Sequence, residues 1–252
     1  MTDLSKPLPF GLRRRNWPLL VLIVAVVIAL AAPGDALVSA FAKSWPEPFA
    51  TFFARITSLG LSDWILIPAL ILMLVSGGLA LLMRKGPAVP RLALLQMTSI
   101  WAFIFIGVGL PGLISSIAKR LIGRARPVVF ETDGPFSLHG FVNDWRFESF
   151  PSGHSTTSFA FAMVIGFLRP SWFWPAIVVA ALVGISRVVI GMHYPTDVIA
   201  GAVLGVLGAY LVRLFFAARR WGFERLPDGR IQARPLSAVQ RLMRPRRQRV
   251  AR

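Results

Sequence analysis

Three short stretches of this chain carry residue types that can do chemistry together. The first runs from Lys119 to Arg126-Pro127, with Arg120 and Arg124 between; the second is Pro151-Ser152-Gly153-His154; the third joins Ser186-Arg187 to His193 and Asp197. They suit phosphoryl transfer. Lys119, Arg126 and Arg187 supply positive charge for phosphate oxygens as charge spreads in the transition state. Arginine adds a planar fork that fits phosphate with paired hydrogen bonds. Ser152 and Gly153 stand where a helix is expected to begin, so free backbone N–H groups favour an anion there, and glycine lets the main chain come close. A neutral imidazole at His193 can attack phosphorus, with Asp197 accepting a hydrogen bond from the other ring nitrogen and stabilising the charge that develops. His154 is then the general acid for the leaving oxygen, and later the base that activates water. The scheme requires no metal and no cofactor.

The elements that must position these residues are membrane spans. Of 252 residues, 55% are hydrophobic and only 15% charged, against about 25% charged in a soluble domain. The apolar residues fall in long blocks, which fits one bundle of membrane helices rather than a water-soluble core. The net charge of +17 sits mostly in the flanks of those blocks and in the tail after Arg213. That distribution points to membrane orientation and anionic headgroups and away from nucleic acid. The chain has no cysteine, which excludes disulfides, thiolate metal sites and a cysteine nucleophile.

Six blocks are expected to span: Trp17 to about Ala32, Leu61 to Met83, Leu92 to Ala118, Ser152 to Leu168, Trp172 to Val189, and Pro195 to about Phe216. The first follows Arg13, Arg14 and Arg15 and is long for a signal peptide core, so it reads as a retained span. Pro33, Gly34 and Asp35 are expected to end it, with an amphipathic connection from Ala36 to Gly60. Gly107, Gly109, Pro111 and Gly112 make a kink plausible in the third block. Gly201, Gly205 and Gly208 mark close packing in the sixth. Residues 1–16 form an N-terminal segment, 17–218 the membrane domain and 219–252 a basic tail.

Six spans put both termini on one side. That side holds the Arg13–Arg15 cluster, Arg84, Lys85, Arg91, Arg169 and the arginine-rich tail, so the positive-inside rule makes it cytoplasmic. The three chemical stretches then lie together on the outer face. Plainer explanations exist for each: interfacial snorkelling for Lys119 and its neighbours, a helix cap for Ser152-Gly153, a structural pair or half a metal site for His193 and Asp197. They leave unexplained why basic residues gather on the disfavoured face, and why two of the three histidines share one membrane edge.

The three stretches resemble the signature motifs of the type 2 phosphatidic acid phosphatase (PAP2) superfamily: Lys, six residues, Arg-Pro; then Pro-Ser-Gly-His; then Ser-Arg, five residues, His, three residues, Asp. Every signature position matches, from Lys119 to Asp197. The resemblance implies an all-α helical-bundle fold and metal-independent hydrolysis through a phosphohistidine at the outer face. His193 would be the nucleophile, Asp197 its partner and His154 the acid/base. Lys119, Arg126, Ser152, Gly153, His154 and Arg187 would form the phosphate pocket. Ser186 matches by position without an evident physical role. Membrane spans set the chain apart from the soluble vanadium-dependent haloperoxidases of the same superfamily.

The substrate expected is a lipid phosphate in the bilayer: phosphatidic acid, phosphatidylglycerol phosphate, undecaprenyl pyrophosphate or lipid A in type. The signature residues do not separate these, nor hydrolysis from transfer of the phosphate to a second lipid. A non-catalytic lipid-binding or transport bundle would leave Asp197, His193 and His154 without a task. Between Pro127 and Phe150, residues His139, Asp144, Trp145, Arg146 and Glu148 are candidates for a substrate cover or for an ordinary solvated loop. The tail after Arg220 shows little apolar periodicity and reads as a basic segment touching anionic lipid, with its last residues disordered. Nothing in the sequence speaks to oligomeric state.

Overall fold

A computed structural model describes residues 3–9, 12 and 14–243. Arg13 of the basic cluster and residues 244–252 of the tail lie outside the described residues. The elements are α1 (Trp17–Ala31), α2 (Asp35–Lys43), α3 (Glu47–Ile56), α4 (Asp63–Leu82), α5 (Ala88–Ile122), the short α6 (Phe130–Asp133), α7 (Gly153–Leu168), α8 (Phe173–Val189), α9 (Pro195–Ala218), the strands β1 (Phe223–Arg225) and β2 (Ile231–Ala233), and α10 (Ser237–Met243).

Among the described residues, five helical segments are long and apolar enough to cross a bilayer: Pro18–Lys43, Glu47–Leu82, Ala88–Ile122, Pro170–Val189 and Pro195–Ala218. The sixth expected span, α7, is a shorter apolar helix of 16 residues. It tolerates that length because it lies inside the bundle, packed on α5, α8 and α9, with Ala160, Met163, Val164 and Phe167 buried. Outward-facing Leu, Val and Ile on α1, α4, α5 and α8 are exposed, as a lipid-facing surface requires. The chain is a multi-pass membrane protein.

Two segments differ from their expected form. Pro33 and Gly34 do not end the first span: a 3-10 turn over Ala32–Gly34 leads directly into α2. Pro33 sits in the first positions of that turn, where its missing N–H costs nothing. The expected connection Ala36–Gly60 is therefore two helices, α2 and the amphipathic α3, followed by a turn at Thr57–Gly60. Residues 221–243 also fold. β1 and β2 form an antiparallel hairpin whose Phe223 and Ile231 enter the main core beside Phe103 and Phe216. Alternation in two three-residue strands is too short to stand out against surrounding arginines, which is why the sequence reads as a bare basic tail.

At 35 residues α5 is roughly 50 Å long, against about 30 Å of hydrocarbon, so its ends project beyond the apolar layer. Its last turn carries Lys119 and Arg120, and Gly123 closes it with φ of 63°, the left-handed cap that glycine adopts without cost. The glycines of α9 set the packing. A Cβ on Gly201 would overlap the Ser152 carbonyl, one on Gly205 the Thr156 carbonyl, and one on Gly208 the Pro111 ring. Main chains of α7 and α9 are thus in direct contact, with Pro111 of α5 seated in the same seam.

This packing generates a prediction. Gly205→Leu forces the α7–α9 seam apart and should lower stability by about 1–3 kcal/mol, read as a reduced melting temperature in detergent. Gly78→Ala, where no atom lies within 4 Å of the added carbon, should not lower the melting temperature, since alanine is the better helix former.

Candidate active site

The C-terminal ends of α5 and α8 and the N-terminal ends of α7 and α9 meet at one end of the bundle, opposite the end that holds Leu4 and the hairpin. There Arg213 of α9 donates to the carbonyls of Leu4 and Lys6. The expected residues are brought together. Ser152 N donates to the Asp197 carbonyl at 2.9 Å, so the starts of α7 and α9 are tied main chain to main chain. Lys119 Nζ lies 3.5 Å from where a Cβ of Gly153 would stand. Lys119, Arg126 and Arg187 lie within range of one another's charge, and His154 lies within range of all three.

His193 is fully buried. Its Nδ1 is 2.7 Å from the main-chain carbonyl oxygen of Ser149. A carbonyl only accepts, so Nδ1 carries the proton and Nε2 keeps its lone pair. The expected direct bond to Asp197 differs in form: the carboxylate lies 3.6 Å from Nδ1, close enough for charge to act but beyond good hydrogen-bond length. Asp197 works through Ser149 instead, accepting the Ser149 hydroxyl at 2.5 Å and the Tyr194 N–H at 2.8 Å on Oδ2. Burial pushes the His193 imidazole down to about 4, with Asp197 opposing and Lys119 and Arg126 adding to the fall.

Ser152 caps α7, its hydroxyl accepting from the N–H and hydroxyl of Ser155. The helix-cap role therefore holds for its side chain. The N–H groups of Gly153 and His154, in the first turn, remain for an anion. Arg126 and Arg187 each have a buried Nε without a partner, an unmet donor that a phosphate oxygen would satisfy. Ser186 now has a clear structural role: its buried hydroxyl donates to the Val183 carbonyl at 2.6 Å, satisfying itself within α8.

Residues that the sequence did not single out complete the walls. Thr57 Oγ1 accepts from Arg187 Nη1 at 2.8 Å, and a Cβ on Gly60 would press on the His154 ring at 2.9 Å. Arg124 Nη1 donates to Asp197 Oδ1 at 2.6 Å, and its Nη2 to Asp35 at 2.8 Å. Burial lowers the Arg124 guanidinium, but the two carboxylates outweigh it and raise it overall.

The segment 127–150 divides. Trp145 lies under the Arg126 guanidinium at 5.5 Å, and the Glu148 carbonyl accepts from Arg126 at 3.2 Å. Both therefore reach the site. The side chains of Asp144 and Arg146 pair with each other in solvent, while the Arg146 carbonyl accepts from Arg126 N–H at 2.8 Å; His139 stacks on Phe147 and bonds Ser137. Alongside opens a cleft of about 400 Å³ between α4, α5 and α7. Leu61, Leu66, Val108 and Leu113 line it together with Gly153 and His154.

Residues 100–221 match the family model described as the PAP2 superfamily. A lipid A 1-phosphatase of Rhizobium johnstonii is 35% identical over 188 residues, 75% of this chain and 76% of that protein. The chain belongs to the PAP2 superfamily. A second PAP2 relative, a lipid A 1-phosphatase of Rhizobium etli, is 42% identical over 135 residues, 54% of this chain and 58% of that protein. Among solved PAP2 structures, a transmembrane phosphatidylglycerolphosphate phosphatase from Bacillus subtilis is similar at 28% identity with a TM-score of 0.49, covering 78% of this chain and 93% of that one. The PAP2 match over 100–221 contains all eight residues expected at the site, whereas Asp35 and Thr57 precede it.

The unmet guanidinium donors generate a prediction. Arg187→Gln should weaken competitive inhibition by orthophosphate roughly tenfold to a hundredfold, the range of a charge-assisted hydrogen bond. Thr57→Val, which only frees the same guanidinium, should weaken it less.

Proposed function

We propose that this PAP2 protein is a lipid phosphatase that hydrolyses a lipid phosphomonoester or diphosphate through a phosphohistidine on Nε2 of His193. The observation that carries this is the Nδ1–H···O=C bond to Ser149, which leaves the Nε2 lone pair open beside Lys119 and Arg126, whose charges act on it. Lys119, Arg126, Arg187 and the first N–H groups of α7 hold the phosphate oxygens. The Nε2 lone pair attacks phosphorus. The P–O bond to the lipid breaks, its electron pair stays on the leaving oxygen, and protonated His154 gives that oxygen a proton. Water then attacks phosphorus and gives a proton to His154, and the P–N bonding pair returns to Nε2 as orthophosphate leaves.

The cleft that His154 helps to line suits the apolar chain of a substrate that arrives from the bilayer. The Rhizobium relatives, named lipid A 1-phosphatases, make a glycolipid phosphate of that kind the first substrate to try. The site faces outward: Arg84, Lys85, Arg91 and Arg169 lie at the other end, which the positive-inside rule makes cytoplasmic.

Detergent-solubilised protein should release orthophosphate from such lipids with EDTA present, and His193→Ala should abolish release. Acid-labile label trapped on the wild type and absent from His193→Ala identifies the intermediate; full activity of His193→Ala would overturn the scheme. The pH dependence follows from burial. The neutral imidazole is the reactive form, present above about 4 and lost as pH falls through that value, so the limb of kcat belonging to His193 should lie there. A limb nearer neutrality does not report the His193 imidazole. Gly112→Leu, whose side chain enters the cleft where a Cβ meets no atom within 4 Å, should raise KM several-fold for a long-chain lipid phosphate and leave a short-chain phosphate unaffected.

A further inference from the structure

Behind His193, on the side of the ring away from Nε2, lies a buried ionic cluster of which the signature positions include only Asp197. Arg124 holds Asp197 with one nitrogen and Asp35 with the other. Thr196 completes it, its hydroxyl accepting from Arg124 at 2.8 Å and donating to Asp35, and its N–H donating to Asp35 Oδ1 at 3.1 Å. The Arg124 guanidinium lies 4.4 Å over the Tyr194 ring, and its Nε donates to the Pro135 carbonyl at 3.0 Å. The side chains of Asp35 and Asp197 are fully buried and that of Arg124 nearly so. Asp35 is the only acid between Pro18 and Lys43, in a span where a charge is costly unless it serves something.

A buried ion pair is poor evidence of stability, since desolvation offsets most of its attraction. The count of charges here is more informative. One guanidinium faces two carboxylates, so the cluster carries one net negative charge. With Asp35 absent, Arg124 would belong to Asp197 alone and the charge beside His193 would be cancelled. Phosphoryl transfer to Nε2 leaves the proton on Nδ1, so the phosphorylated ring becomes a cation 3.6 Å from the Asp197 carboxylate. A fixed negative charge in a dry site stabilises that cation without reorganisation.

We infer that Asp35, on the first span, is a positioning residue of the reaction: by sharing Arg124 it keeps the Asp197 carboxylate available to the imidazolium that forms at His193. The inference rests on the phosphohistidine reading above. Asp35 touches neither substrate nor the reacting nitrogen, so its effect falls on the chemical step and not on phosphate binding.

The test compares kcat, KM and orthophosphate inhibition in the full-length protein for Asp35→Asn and for the pair Asp35→Asn with Arg124→Gln. Asp35→Asn brings the cluster to zero net charge; the pair returns it to one negative charge on Asp197. Expected is a fall in kcat of about tenfold or more in Asp35→Asn, with KM and the phosphate inhibition constant within about twofold. The pair should recover kcat several-fold over the single variant. Three results overturn the inference: kcat of Asp35→Asn within about twofold of wild type, a kcat loss matched by equal loss of phosphate binding, or a pair no more active than the single. Should Asp35→Asn not fold, the pair decides. A kcat within about tenfold of wild type at unchanged phosphate inhibition supports the inference, and a greater loss overturns it. Label trapping separates the two readings. A wild type that forms no phosphohistidine overturns both, whereas a normal phosphoenzyme with an indifferent Asp35→Asn overturns only this one.

Discussion

Main-chain contact between α7 and α9 sets the distances on which everything at the site end of this bundle depends. Gly201 and Gly205 leave room for the Ser152 and Thr156 carbonyls, and the same seam delivers Ser152 N to the Asp197 carbonyl. The first turn of α7 and the carboxylate-bearing first turn of α9 are therefore fixed relative to each other by backbone, not by flexible side chains. Such rigidity is what a site needs when a misplacement of about 1 Å costs a large factor in rate.

The second determinant is exclusion of water. His193, Ser149, Thr196 and Asp197 are all buried, so each polar atom must find its partner within the protein. Ser149 illustrates how tightly these needs interlock: its carbonyl receives the imidazole N–H while its hydroxyl bonds the carboxylate. One residue thereby orients both groups. The low dielectric that keeps the imidazole neutral also magnifies every fixed charge around it.

Much of this was legible in sequence. Lys119, Arg126, the Pro151–His154 stretch, Arg187, His193 and Asp197 stand out because phosphate chemistry needs those types and because three motif spacings coincide. Span ends follow from apolar runs and glycine or proline stops, except at Pro33-Gly34, where the helix runs on into α2. Ser149, Thr57 and Asp35 were not visible, because their meaning lies in partners 48, 130 and 89 residues away. A short serine or threonine has no periodic signature. Asp35 did leave a trace, as a lone acid in an apolar stretch, but beside Pro33-Gly34 it reads as punctuation. Arg124 was hidden among neighbouring basic residues, where nothing separates a phosphate ligand from a carboxylate partner. The hairpin escaped notice because Phe223 and Ile231 are single apolar residues in arginine-rich surroundings.

The hydrogen bond from Lys43 Nζ to the Pro127 carbonyl, 3.0 Å long, has a consequence for how this architecture can be taken apart. It fastens the end of the first helical segment to the Arg-Pro stretch 84 residues later, next to where Asp35 and Thr57 reach the same end of the bundle. The family-matched stretch, residues 100–221, is thus not a self-sufficient module. A chimera that grafts it onto foreign leading helices would inherit the motif but lose its floor and one wall. Compatible donors would be those whose first helices bring an acid, a hydroxyl and a basic tether to corresponding places, a criterion of parts that fit together and not of motif identity.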